Sequence, residues 1–189
     1  MKYGKGFSLI EVLVTLLLTS IGVLGMVAMQ GRSIHYTQDA VQRNTAVALA
    51  SELIDIIRTN PGELYANTPP LEPVYSGMKS SSMFYKKMGE DFSPVPNSCA
   101  KPQEAKTAQE QRDCWIMKAQ QVLPGAEKVF KQGSYICRSS TKSSSDSPNC
   151  DNAGSILEIQ LAWSVRKGTC ADDKAPDETT CIYRVRVEL

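Results

Sequence analysis

The chain has 189 residues, 42% of them hydrophobic, and its 21 basic side chains against 20 acidic ones leave a net charge of +1, which is room for one ordinary domain with its own core. That balance excludes the basic surplus that marks nucleic-acid binding, the part beyond Met29 is neutral, and no nucleic-acid partner is expected. The single histidine, His35, gives a serine or cysteine nucleophile no base to work with in the rest of the chain.

The chain opens on a short basic leader, Met1-Lys2-Tyr3-Gly4-Lys5-Gly6, and turns abruptly apolar at Phe7. The run from Phe7 to Met29 is long enough to cross a hydrocarbon layer, which takes ~20 mostly apolar residues as a helix. Glu11 lies one helical turn inside it, and a carboxylate in hydrocarbon calls for a partner. Lys2 and Lys5 precede the span and only Arg32 follows closely, so the start belongs in the cytoplasm and the remainder is exported. A secretory signal peptide has a shorter apolar core, ~7 to 15 residues, with its small-residue cleavage site after that core. Here the run is longer and the glycine comes before it.

A basic leader ending in Gly6, then Phe7, then Glu11 inside the apolar run resembles the class III signal of type IV pilins and type II secretion pseudopilins. The resemblance implies that a prepilin peptidase cuts between Gly6 and Phe7 and N-methylates Phe7, and that Glu11 docks on the amino terminus of a neighbouring subunit. It implies as partners other minor pilins, the major pilin, the prepilin peptidase/N-methyltransferase and the inner-membrane assembly machinery. The protein would sit in the bacterial inner membrane as a single-pass chain with a periplasmic head, and then enter a pilus. In domain terms, 1–6 is the leader, 7–29 the membrane and filament-core half of a helix, and 30–189 the head.

Beyond the span, Ala46, Leu49, Ala50, Leu53, Ile54 and Ile57 recur at helical spacing, with Arg43, Glu52, Asp55 and Arg58 between them, so helix is expected over 30–59 with one apolar stripe. Asn60-Pro61-Gly62 stops it. A continuous helix from Phe7 to Thr59 would be about 80 Å long at 1.5 Å per residue. Gly22, Gly25 and Gly31 are its weakest points. Many pilins carry a proline in this region, and this chain has none between Phe7 and Asn60.

From 60 to 102, Pro61, Pro69, Pro70, Pro73, Pro94, Pro96 and Pro102 with Ser80-Ser81-Ser82 exclude long regular elements. Met83, Phe84, Tyr85 and Met88 are available to cover the helix, and Met78 reads as packing. Ala108, Trp115, Ala119 and Val122 predict a short amphipathic helix over 103–123, ended by Pro124-Gly125. Antiparallel strands follow over 134–189, beginning with a short one at Ser134–Arg138. Leu157, Ile159, Leu161, Trp163 and Val165 alternate with Glu158, Gln160 and Ser164, and Tyr183, Val185, Val187 and Leu189 alternate with Arg184, Arg186 and Glu188. These patterns predict half-buried strands with one wet face. The fold class is α+β: a long N-terminal helix packed on a C-terminal antiparallel sheet, with disulfide-stapled loops. The type IV pilin resemblance implies the same fold, and the Trp115 helix ending in Leu123-Pro124-Gly125 before a cysteine-bearing sheet resembles the PilV group of minor pilins.

Cys99, Cys114, Cys137, Cys150, Cys170 and Cys181 all fall in the exported part, where disulfides persist. Their spacings point to local bridges, Cys99 to Cys114, Cys137 to Cys150 and Cys170 to Cys181. A zinc site or a thiol oxidoreductase would call for Cys-x-x-Cys, and none is present. No metal, no cofactor and no catalytic residue is expected: His35 reads as a solvated residue of the stalk, and Asp172 with Asp173 and Asp177 with Glu178 read as solvated loop carboxylates. No phosphate-binding glycine loop is seen. The expected function is therefore that of a minor pilin acting in pilus initiation and assembly, and through it in twitching motility and adhesion. A type II secretion minor pseudopilin and a membrane-tethered exported binding module or enzyme are the alternatives.

Overall fold

A computed structural model describes residues 6, 8–69, 77–99, 101–141, 148–170 and 177–189, with the exception of the His35 side chain. Pro70 and Pro73 of the connection lie outside them. The chain forms two compact units, 1–40 and 41–189.

Helix α1 covers Leu9–Thr59, Gly22, Gly25 and Gly31 included. In the second unit its stripe of Ala46, Leu49, Ala50, Leu53 and Ile57 is buried, while Ile54 is only partly so. Asn60 ends it by donating from Nδ2 to the Ile56 carbonyl at 2.7 Å. A four-residue helix α2, Pro61–Leu64, opens the connection, which has no longer element among its described residues up to a 3₁₀ turn at Pro102–Glu104. Phe84 is fully buried and Met78 nearly so, whereas Met88 is left exposed.

Helix α3 covers Ala108–Val122 and starts later than the expected Gln103, because Thr107 and Glu110 form a reciprocal capping box there. Such a box fixes the first turn by satisfying two backbone donors at once. Trp115 is buried and donates from Nε1 to the Leu49 carbonyl of α1 at 2.8 Å. After Pro124, Gly125 takes φ +60° and begins a helix that the periodicity did not announce, α4 over Ala126–Gly133. Only glycine adopts that φ without steric cost.

Strands β1 (Tyr135–Ser139), β2 (Ile156–Ser164) and β3 (Thr180–Glu188) form one antiparallel sheet in the order β1-β2-β3. In register, Tyr135 faces Gln160, Ile159 faces Val185 and Trp163 faces Cys181. The expected wet face of β2 is corrected here: every residue from Leu157 to Trp163 is buried, Glu158 and Gln160 included. Helix α4 covers part of that second face. A Cβ on Gly133 would lie 2.6 Å from the Ala162 Cβ, an approach that only a residue without a side chain permits. Gln160 is satisfied by donating to the Gly133 carbonyl at 2.7 Å and accepting from Arg184 Nε at 2.9 Å. On the opposite face the odd-numbered apolar residues of β2 meet the core cluster that includes the α1 stripe.

Candidate functional site

The site begins where α1 begins. Gly6 is exposed, while Phe7 and residues 1–5 lie outside the described residues, so the Gly6–Phe7 junction itself is not placed. The Ser8 carbonyl accepts from Glu11 N at 3.0 Å and Val12 N at 3.3 Å, closing the first turn. Glu11 lies in that turn, where a carboxylate meets the positive end of the helix dipole.

From Leu9 to Met29 large apolar side chains are exposed on every side of the helix, Leu9 and Met29 at 77% and Leu24 at 70%. A helix apolar all round fits hydrocarbon or other helices. It is the one helix among the described residues long and apolar enough to cross a membrane. Thr15, Thr19 and Ser20 donate their hydroxyls to the carbonyls of Val12, Leu16 and Leu17 at 2.8 to 3.0 Å, so none takes an unmet donor into an apolar medium. Glu11 is then the sole ionisable side chain between Ser8 and Gln30.

In the head, disulfides join Cys99 to Cys114, Cys137 to Cys150 and Cys170 to Cys181. They tie the connection to α3, β1 to the loop after it, and the β2–β3 loop to β3. Asp172 and Asp173 lie outside the described residues, as does the His35 side chain. Asp177 accepts from Thr179 Oγ1 at 2.7 Å, Thr179 N at 2.6 Å and Thr180 Oγ1 at 2.9 Å. Those bonds, led by the Thr179 hydroxyl, hold its carboxyl below the usual range. Glu178 pairs with Lys167 at 2.8 Å. Both described carboxylates thus serve the hairpin, and no cluster of three metal-ligating side chains occurs among the described residues.

Three buried polar groups escaped the sequence reading. Arg112 and Asp113, adjacent in α3, pair at 2.5 Å with side chains almost fully buried. Arg112 also donates to the carbonyls of Met83 and Pro94 at 2.9 Å each, and Asp113 accepts from Asn97 N at 2.9 Å, which fastens the proline-rich connection to α3. Lys86 donates from Nζ to the carbonyls of Ser134, Lys131 and Lys87 at 2.6, 2.9 and 3.2 Å. Glu158 accepts from the Tyr135 hydroxyl at 2.5 Å and lies 3.7 and 3.3 Å from the guanidinium nitrogens of Arg184 and Arg186. The signal that could have found Glu158 is the alternation of opposite charges, Glu158 against Arg184 and Arg186, on neighbouring strands.

An open polar depression of about 500 Å³ lies beside Cys99–Cys114, lined by Asn97, Lys101, Glu104, Thr107, Glu110 and Asp113 among others. Its carboxylates are already engaged: Glu110 caps α3, Asp113 holds Arg112 and Asn97, and Glu104 meets Lys101. The arrangement offers contact surface, with no activated nucleophile among these side chains.

Residues 1–27 match the family described as the prokaryotic N-terminal methylation motif. No curated protein and no solved structure matches the chain. The motif is that of a type IV pilin-like signal, which points to a structural protein, to processing by a prepilin peptidase and to pilus or secretion machinery. The long helix, three-stranded antiparallel sheet and disulfide-closed loops are consistent with the type IV pilin fold, and the apolar helix fits a single-pass membrane anchor.

Proposed function

We propose that the protein is a minor pilin of a type IV pilus, of the PilV kind, which takes part in pilus initiation and assembly and so in twitching motility and adhesion. The observation that carries this reading is the order of groups at the start of the chain: basic leader, Gly6, Phe7, and Glu11 as the one ionisable side chain in an otherwise apolar helix. Prepilin peptidase cuts between Gly6 and Phe7, and N-methylation keeps the new terminus positive. In the filament Glu11 pairs with the terminus of a neighbouring subunit, since an unpaired ion costs several kcal/mol away from water. The partners are other minor pilins and the major pilin, and the head faces the periplasm before assembly.

A type II secretion pseudopilin would use the same signal and helix. The disulfide-stapled loops and the size of the head favour the pilus. Mass analysis of the mature protein is expected to begin at methylated Phe7, and Gly6→Val to leave precursor in the membrane. An intact Met1, or a start near Ala28, overturns the reading. Cells lacking the protein are expected to lose surface pili and twitching while type II secretion continues. The reverse result assigns it to secretion.

A further inference from the structure

Three consecutive residues of α3 hold one turn of the proline-rich connection. Arg112 donates to the Pro94 carbonyl and Asp113 accepts from Asn97 N, each at 2.9 Å, and Cys114 is bonded to Cys99. Phe92, at the start of the turn, is buried with the Arg112 guanidinium 5.6 Å from its ring centre, and it stacks on Phe130 at 6.4 Å. Anchors at Phe92, Pro94, Asn97 and Cys99 fix the turn, yet its tip is apolar: Pro94 and Val95 are exposed and Pro96 is half-buried. Val95, at 72%, is the most exposed large apolar side chain described beyond Ala40. An ion pair taken out of water adds little to stability, so what Arg112 and Asp113 contribute is the fixed presentation of that tip. A surface fixed beforehand loses less freedom on binding.

The Cys99–Cys114 bridge also lines a groove of about 470 Å³ between α1 and α3, together with Ile56, Pro102, Ala105, Trp115 and Met117. The charged and hydrogen-bonding groups of its walls are engaged within the head. Lys118 pairs with Glu52 at 2.7 Å, Gln111 accepts from Asn60 Nδ2 at 2.8 Å, and Trp115 Nε1 donates to the Leu49 carbonyl. Such a groove offers little to a polar ligand and suits an apolar one. Met117 is 45% exposed in it, and an unbranched thioether side chain moulds readily to an incoming surface.

The tip also suits such a groove. Pro94 and Pro96 have no amide donor, and the Pro94 carbonyl and Asn97 amide are already taken, so seating the tip leaves few polar groups unmet. A lipid surface is the poorer match. Around the tip Glu90, Asp91, Glu104 and Glu110 outnumber Lys101 and Lys106, and anionic headgroups repel such a balance. Val95 lies four residues from Cys99, at most about 14 Å of extended chain, so tip and groove adjoin on one head while the tip stays out of its own groove. Two copies related by a two-fold axis can exchange them, each tip meeting the other's groove. We propose that the Pro94-Val95-Pro96 tip of one copy seats in the α1–α3 groove of a second copy, and the second copy's tip in the first. Three residues cannot cover the roughly 800 Å² per partner of a stable interface; the reciprocal exchange seats two tips and gives a reversible pair. The pairing uses the head alone and does not depend on its belonging to a filament.

The test uses the full-length protein, purified in detergent with its disulfides intact. Met117→p-benzoylphenylalanine is expected on irradiation to join an isotope-labelled copy that lacks the probe, at residues 93–97 of that copy. Val95→Asp in the labelled copy is expected to lower the yield at least about fivefold, because the groove would then have to bury an unpaired carboxylate. Val95 is exposed, so that variant keeps its fold. The same probe at Lys128, an exposed position on α4, is expected not to reach residues 93–97. No adduct between copies, an adduct at another part of the labelled copy, or a yield that Val95→Asp leaves unchanged overturns the proposal. Association through the apolar part of α1 would give one of the last two results. Failure of the Phe7 processing test would leave these outcomes untouched.

Discussion

Lys86 shows how much a single side chain can hold that its neighbours in sequence do not reveal. Its ammonium gathers the carbonyls of Lys131 and Ser134 at the end of α4, together with that of Lys87. Burial pushes its pKa down to about 8, with Asp91 and Glu90 opposing and Lys131 adding to the shift. Lys86→Met is expected to cost about 2 kcal/mol, the worth of charged hydrogen bonds to groups left unmet, read as a lower denaturation midpoint. The folded value lies below the ordinary lysine value of 10.5, so the unfolded chain binds more protons between them. The wild type's lead over Lys86→Met is therefore expected to widen as pH rises from 8 toward 10. Glu11 is the opposite case. A carboxylate in an apolar run stands out in any reading of the sequence, because hydrocarbon makes it costly. Glu11→Ala is expected to insert normally, with anchoring improved by up to ~3 kcal/mol, yet to reduce incorporation into pili and surface piliation. Wild-type pilus number and twitching at native expression would remove Glu11 from the docking role. Lys86 and Arg112 were not legible, since each reads locally as one more charged residue, and Glu158 reads as part of a wet face until its charge is set against Arg184 and Arg186 on the neighbouring strand.

At the scale of elements, the long helix and the two long strands were legible because their periods persist for many residues. Helix α4 was not: eight residues after a Pro-Gly stop are too few to establish a period. Missing it also hid the burial of the second face of β2, because that face is covered partly by α4. The close seat of α4 on the sheet can be tested at Gly133. A methyl group there meets Ala162 at 2.6 Å, so Gly133→Ala is expected to lift α4 and cost about 1 to 3 kcal/mol in spite of better helix propensity. The start of α3 was present in the sequence as Thr107-x-x-Glu110, and the expected boundary at Gln103 lies too early. Thr107→Ala is expected to lower stability by about 1 kcal/mol and to fray α3 in hydrogen exchange, with α4 unaffected.

Across the whole head, several carboxylates are tuned alike. Asp177 is held below its ordinary range by Thr179, Asp151 by the Ser140 hydroxyl, and Glu110 by the Thr107 and Lys106 amides. Each folded value lies below the unfolded one, so the stability they add is present at neutral pH and is lost as pH falls through the depressed values. The melting temperature is expected to hold from pH 7 to about 5 and to drop below about 4, less steeply in Asp177→Asn.

The tryptophans that tie α1 to the rest of the head set a sequence of events in time. Consecutive strands joined as β1-β2-β3 make nearby partners, which close quickly, whereas Trp163 reaches Gln42 across 121 residues and Trp115 reaches Leu49 across 66. Distant closures are slow. The sheet is expected to assemble while the head portion of α1 waits, so Trp163→Phe should change the unfolding rate more than the folding rate. The last event in folding would then be the docking of the very helix whose other end is apolar on every side.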